Sequence, residues 1–352
     1  MKNIYYNNTY QNDLDKCLKN IEIIAKKLEN KSILITGATG LIGSFIVDSL
    51  YKLVKDYNFN IKIYALSRNL ERLKHRFIYD KENIITFIEK DVNDNLDIEE
   101  NIDYIIHAAS NAYPSIMYND PVGTIMSNIK GTYNLLEFLR KQRGKRLLFL
   151  SSGEIYGEVS KNIDKFNEEC LGRVDIPNIR SSYPLSKRCA ENLCISYSKQ
   201  FNIETVIARP CHIYGPNNSN KDNRATVQFI NNAVNDEDIV LKSKGSQIRS
   251  YMYISDCVSA LLTVLIKGSN KEIYNISNEK SIVSIADFAK YVSKIANVKL
   301  RYEINDNEKS LFSRAVLDNK RLKLLGWNPS YNIDKGIEHT FKISKWLISK
   351  NF

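Results

Sequence analysis

The sequence is short of the features that mark metal sites, disulfide frameworks and membrane anchors. Its six cysteines, Cys17, Cys170, Cys189, Cys194, Cys211 and Cys257, form no Cys-x-x-Cys pair, and there are only four histidines. No metal site is therefore expected, and the thiols read as reduced. No apolar run is long enough to cross a bilayer, and the opening Met1-Lys2-Asn3-Ile4-Tyr5 has no apolar leader core. A cytoplasmic location without a membrane partner is the expectation. Internal repeats and low-complexity linkers are missing too. The net charge of +10 arises from 50 basic residues scattered among 40 acidic ones. Without a basic stripe interleaved with aromatics, nucleic acid is not an expected partner.

What the chain does have is core-forming material. Hydrophobic residues make up 43% of its 352 positions, enough for one large core with a smaller lobe beside it. Leu14, Leu18, Ile21, Ile24, Ala25 and Leu28 recur at helical spacing, so residues 1–30 read as a helical extension packed on a domain edge. Six short strands follow, at Ser32–Thr36, Ile61–Leu66, Ile84–Ile88, Tyr104–His107, Arg146–Leu150 and Thr205–Ala208, with helical stretches between most of them. This alternation predicts an α/β protein with a doubly wound parallel sheet covered on both faces. After Pro216 helices and short strands mix. Residues 31–215 are therefore read as the sheet domain and 216–352 as mainly a smaller substrate-binding lobe, with interleaving of the two.

Gly37-x-x-Gly40-x-x-Gly43 stands between the first strand and the next helix. Glycines at this spacing allow a tight turn and close backbone approach to a pyrophosphate lying on the helix N-terminus. Gly37, Thr39, Gly40, Leu41, Ile42 and Gly43 are thus candidates for holding a dinucleotide. The second strand ends at Ser67-Arg68, where an NAD enzyme usually carries Asp or Glu for the ribose 2′-hydroxyl. A guanidinium here suits a 2′-phosphate, so NADP is favoured over NAD. Asp91-Val92, after the third strand, is expected beside the adenine.

Tyr183-Pro184-Leu185-Ser186-Lys187 places a phenol and an ammonium four residues apart, on one face of a helix. The ammonium is expected to lower the phenol pKa, so that the phenolate takes a hydroxyl proton while hydride leaves the same carbon. Ser151-Ser152 after the fifth strand complete the set. Together with His107-Ala108-Ala109-Ser110, Ser152-x-x-x-Tyr156-Gly157, Arg209-Pro210-x-x-x-Tyr214-Gly215-Pro216 and Gly326-Trp327-Asn328-Pro329, these motifs resemble the extended short-chain dehydrogenases that act on nucleotide sugars. The resemblance runs from about Lys31 to Pro329. It implies a Rossmann-type sheet with a C-terminal substrate lobe, and a homodimer through helices near Asn128–Arg140 and Tyr183–Lys199. It also implies a nucleotide diphosphate sugar as substrate, and a cofactor further bordered by Ala108, Ala109, Ser110, Pro210 and His212. Within it, Tyr183 is the base, Lys187 holds the nicotinamide ribose, and Ser152 binds the sugar hydroxyl being oxidised, usually at C4. Arg249 resembles a diphosphate contact, with Arg314 and Arg224 as further ones.

The reaction stays open at this level. Ser152-Gly153-Glu154 resembles the Thr-Asp-Glu of 4,6-dehydratases, but glycine replaces the proton-donating Asp. UDP-glucuronate decarboxylases are similar in lacking that Asp, and Ala109–Pro114 with Tyr118–Val122 resemble a stretch of theirs. The resemblance implies oxidation at C4, then epimerisation, elimination or decarboxylation through a 4-keto intermediate. An NADPH-dependent 4-ketosugar reductase and a non-catalytic dinucleotide-binding sensor are the other readings.

Overall fold

β-branched and aliphatic runs dominate the strands, as expected for a sheet buried on both faces. In the computed structural model, which describes residues 2–160, 162–217, 222–304 and 314–349, the strands are β1 (Lys31–Thr36), β2 (Ile61–Ser67), β3 (Ile85–Glu89), β4 (Tyr104–His107), β5 (Arg146–Leu150), β6 (Glu204–Pro210), β7 (His212–Tyr214), β8 (Ile239–Leu241), β9 (Ile248–Tyr253), β10 (Ile273–Ile276), β11 (Ile282–Ser284), β12 (Leu300–Tyr302) and β13 (Arg314–Ala315). The helices are α1 (Asn8–Ala25), α2 (Leu41–Tyr57), α3 (Leu70–Arg76), α4 (Pro114–Asn119), α5 (Pro121–Gln142), α6 (Ser182–Phe201), α7 (Ala225–Val234), α8 (Ile254–Lys267), α9 (Ile285–Ala296), α10 (Lys320–Leu324) and α11 (Ile333–Ile348).

Seven parallel strands form the main sheet in the order β10-β6-β5-β4-β1-β2-β3. The order reverses between β1 and β4, which opens a crevice at the carboxyl ends of the strands, the usual ligand position in such sheets. The six strands read from the sequence fall within a residue or two of those found. β10 comes from beyond Pro216 and extends the sheet at β6. It is only four residues long and carries a buried Asn275, so its sequence pattern is weak. Asn275 is satisfied by accepting from Tyr156 and by donating to the Phe166 and Asp318 carbonyls.

One face of the sheet is covered by α5 and α6, where Leu135, Leu136, Leu139, Ala190 and Cys194 pack on Leu34, Ile105, Leu147 and Phe149. The other face carries α2 and α8, and α1 lies outside them. Two buried carboxylates fasten α1. Asp13 accepts from the hydroxyls of Tyr253 (2.5 Å) and Tyr331 (2.6 Å) and lies 2.7 Å from His339 Nδ1. Asp48 on α2 accepts from Tyr10 of α1, from Tyr79 and from Arg76. Beyond the sheet, β9 pairs with β7, β11 and β13, and β8 with β12, forming the small lobe over the crevice. No helix among the described residues is long and apolar enough to cross a membrane.

Candidate active site

A cleft of about 1030 Å³ lies between the strand ends and the small lobe. The residues expected above to hold cofactor or substrate border it, from the glycine loop through Ser67, Arg68, Asp91, Val92 and Ala108–Ser110 to Ser152–Glu154, Tyr183, Lys187, Pro210, His212, Arg224, Arg249 and Arg314. Positions far apart in the chain therefore converge on one space.

At one end β1 turns into α2. Gly37 has φ +66°, and a Cβ on it would come within 2.8 Å of the Ala109 backbone. A Cβ on Gly43 would meet the Gly37 carbonyl oxygen at 2.3 Å. Only glycine fits either place. Gly40 caps α2 without a side chain, so the helix N-terminus opens on the cleft. The first N–H groups of any helix lack partners within it and suit an anion. The turn, its open helix end and the flanking Ala108-Ala109 thus fit a dinucleotide pyrophosphate. At the end of β2, Arg68 Nη1 lies 3.9 Å from Asp91 Oδ2, and both side chains reach solvent. Thr36 holds the buried His107 through Nδ1 at 2.9 Å, and burial takes that imidazole down to about 3, so it stays neutral.

At the other end stand the chemical groups. β5 delivers Ser151 and Ser152, and α6 delivers Tyr183 and Lys187 one turn apart. Lys187 is buried and donates to the Leu150 carbonyl at 2.7 Å. Burial lowers its pKa to about 7, against the upward pull of Glu191. Its Nζ lies 5.8 Å from the Tyr183 ring centroid and 4.7 Å from that of Phe149. The expected lowering of the phenol is not found. Tyr183 is raised, first by burial and then by the nearby Glu154, while a hydrogen bond with Ser152 and the charge of Arg224 pull it down. Desolvation of the phenolate outweighs those two attractions, and Lys187 directs its ammonium to a carbonyl instead.

Ser152 Oγ also accepts from the Glu154 backbone N–H at 3.1 Å, capping a short turn over Gly153–Tyr156. Glu154 is raised by its burial within the cleft walls, with Arg180, Arg224 and Arg249 opposing. Its side chain nonetheless keeps 39% of its exposure, because the cleft is open above it. His212 is lowered to about 3 by burial, assisted by Arg249, Arg224 and Arg180. A neutral imidazole so far from its usual range is no acid at ordinary pH. Arg224 forks onto Asp222, with Nε 3.0 Å from both carboxylate oxygens, and Arg314 Nε donates to the Asp164 carbonyl at 2.7 Å. Among the described residues no group of three or more His, Cys, Asp or Glu could hold a metal.

Arg180 and Asp222 are cleft residues that the sequence reading missed. Arg180 had a signal, since it lies three residues before Tyr183. Asp222 had none, because its part is to orient Arg224.

The model of the NAD dependent epimerase/dehydratase family matches residues 33–277. The chain belongs to that family. It is an enzyme of the extended short-chain dehydrogenase type. Among its relatives, UDP-glucuronic acid decarboxylase 3 of Arabidopsis thaliana is 32% identical over 309 residues, which cover 88% of this chain and 87% of that protein. UDP-glucuronic acid decarboxylase 1 of Xenopus tropicalis is 30% identical over 329 residues, 91% of this chain and 73% of that one. In fold, the epimerase/dehydratase member described here is similar to UDP-glucose 4-epimerase of Thermotoga maritima, with a TM-score of 0.77 at 22% identity over 90% of this chain and 100% of that one. It is likewise similar to UDP-glucuronic acid 4-epimerase of Bacillus cereus, with a TM-score of 0.75 at 23% identity over 90% and 99%.

Proposed function

We propose that this enzyme decarboxylates a nucleotide-activated uronic acid, UDP-glucuronate in the first instance, through a 4-keto intermediate. The observation that carries the reading is the pairing of Glu154 with a packed Gly153. A Cβ at position 153 would lie 3.1 Å from a Leu317 methyl and 3.3 Å from the Pro210 carbonyl oxygen, so a larger side chain there would make both contacts tight. Elimination of a C6 hydroxyl needs an acid to protonate the leaving group. Loss of carbon dioxide from a β-keto acid does not. The relatives named as UDP-glucuronic acid decarboxylases support the same choice.

The glycine turn, the open end of α2 and Ala108–Ser110 would hold the dinucleotide, with Asp91 and Arg68 near its adenosine half and Lys187, Pro210 and His212 near the nicotinamide half. NAD(P) bound there would supply a reversible hydride acceptor for C4. Tyr183 takes the C4 hydroxyl proton, with Ser152 hydrogen-bonded to the same oxygen. The resulting C4 carbonyl accepts the electron pair when the C5–C6 bond breaks and carbon dioxide leaves. A proton then arrives at C5, in the neighbourhood of Glu154, and Tyr183 returns its proton to the C4 oxygen. The balance is one uronate and one proton in, one pentose and one carbon dioxide out. Arg249, Arg224 and Arg314 would bind the diphosphate.

Arg68 supports NADP, since a 2′-phosphate is a stronger partner for it than Asp91 at 3.9 Å. We also infer a homodimer. Val122, Met126 and Tyr133 on α5 and Phe201 on α6 are exposed, the first three at spacings that share one face of α5 with the exposed Lys130 among them.

The test is incubation with a panel of nucleotide sugars in D2O, with NAD+ or NADP+ added, followed by product mass. Release of carbon dioxide from UDP-glucuronate, with one deuterium retained at C5, is expected, and more readily with NADP+. Loss of water from a neutral hexose, or an isomer of unchanged mass, would overturn decarboxylation. Turnover only of a 4-keto sugar with NADPH would make it a reductase. Equal use of NAD+ would show that Asp91 neutralises Arg68.

A further inference from the structure

The turn Ile179–Ser181 runs directly into α6, so Arg180 precedes Tyr183 by one helical turn. Residues three apart share a face, which brings the guanidinium and the phenol to the same end of the cleft. Arg180 Nη2 lies 4.0 Å from Glu154 Oε1, and the Arg180 side chain keeps 45% of its exposure. That is a loose contact, open to exchange. Among the charges opposing the rise of Glu154, Arg180 acts most strongly, and the same guanidinium also acts on His212. Its charge therefore bears both on Glu154 and on His212 of β7.

The other cations near this spot are already engaged elsewhere. Arg224 is forked onto Asp222, and Arg314 donates to the Asp164 carbonyl. Arg249 reaches in from β9 and donates to the Ile248 carbonyl. Arg180 alone of these four comes from the helix that carries Tyr183. A sugar held with its C4 hydroxyl on Tyr183 and Ser152 has C5 as the next ring carbon, and a C5 substituent turned toward Glu154 would meet Arg180, 4.0 Å from that carboxylate in the same cleft. A neutral hydroxymethyl group there offers a guanidinium little. A carboxylate offers it two oxygens in matching geometry.

We propose that Arg180 recognises the carboxylate on C5 of the sugar and makes the site selective for nucleotide uronates over neutral nucleotide hexoses. This rests on the decarboxylase reading above. On binding, the guanidinium exchanges its loose contact with Glu154 for the substrate carboxylate. Holding the carboxylate favours the bound ground state and not its departure as carbon dioxide, so Arg180 governs affinity more than the chemical step.

The experiment measures dissociation constants of the full-length, cofactor-saturated enzyme for UDP-glucuronate, UDP-glucose and UDP, with Arg180→Gln and Arg180→Lys beside the unaltered protein. For Arg180→Gln the expected result is a loss of roughly 10- to 100-fold in UDP-glucuronate affinity. Binding of UDP-glucose and UDP should not change, and Arg180→Lys should recover part of the loss. In steady state KM should rise much more than kcat falls. Unchanged UDP binding also reports that the variant is folded. Equal weakening for all three ligands, or an unaltered preference for the uronate, would overturn the proposal. If the unaltered enzyme decarboxylates UDP-glucuronate and Arg180→Gln keeps the preference, this inference alone fails. If the unaltered enzyme prefers UDP-glucose and converts it, the decarboxylase reading fails with it.

Discussion

Tyr183 and Lys187 are both driven toward neutrality by burial, the phenol upward and the ammonium down to about 7. Removing the phenol hydroxyl in Tyr183→Phe should cut turnover by roughly 10² to 10⁴, the usual worth of a positioned acid–base group, while UDP-sugar binding persists. A single-turnover assay of cofactor reduction reads this directly, and retained turnover would remove Tyr183 from the proton path. Glu154 gives the pH dependence. Its carboxyl is raised by burial, so it takes up a proton at a higher pH than an ordinary glutamate as the medium is acidified. If the protonated carboxyl delivers the proton at C5, activity should fall as the pH rises through a point above the normal glutamate range, where Glu154 ionises. Glu154→Gln should abolish that limb, and a kcat profile with the same alkaline limb in the variant would exclude Glu154. The motif residues were legible because each sits beside a strand end or on one helix face. Their protonation was not, because it depends on how much water the surrounding chain removes.

Strands β1 to β6 were legible as β-branched or aliphatic runs bounded by turns, and the glycine turn announced the start of α2. The α1 helix was legible from its apolar spacing, but not the manner of its attachment. Asp13 and Asp48 look like surface acids in a polar sequence, yet both side chains are fully buried. Asp48 neutralises Arg76 and accepts from Tyr10 and Tyr79, so it joins α1, α2 and α3. Removing one partner leaves an uncompensated buried charge. Asp48→Ala should therefore cost about 3–5 kcal/mol, measured by denaturant unfolding. Removing the exposed Lys335–Glu338 pair should cost about 1 kcal/mol or less. Similar losses for the two would mean that the Asp48 cluster does not hold the element in place.

On the scale of the whole molecule, the cleft exists only because the order reversal between β1 and β4 meets a lobe whose β9 and β13 return from late in the chain. The same scale governs assembly. With Met126 and Tyr133 exposed on α5, and Tyr133 lying 6.2 Å from Tyr197 of α6 in an edge-on contact, the helix pair presents apolar side chains to solvent. The double variant Met126→Glu, Tyr133→Glu should convert a dimer to a monomer in light scattering, because it would bury like and unpaired charges in the proposed interface. An unchanged mass would move the interface elsewhere. The sequence by itself determined the alternation of strand and helix, the turn that suits a pyrophosphate, and the Tyr183–Lys187 spacing, because these depend on local sterics and periodicity. Only the tertiary structure decided that Lys187 faces a carbonyl and not the phenol, that Gly153 packs against Leu317 and Pro210, and that Arg180 stands beside Glu154. Those outcomes follow from desolvation and from contacts between segments far apart in the chain, which no local pattern encodes.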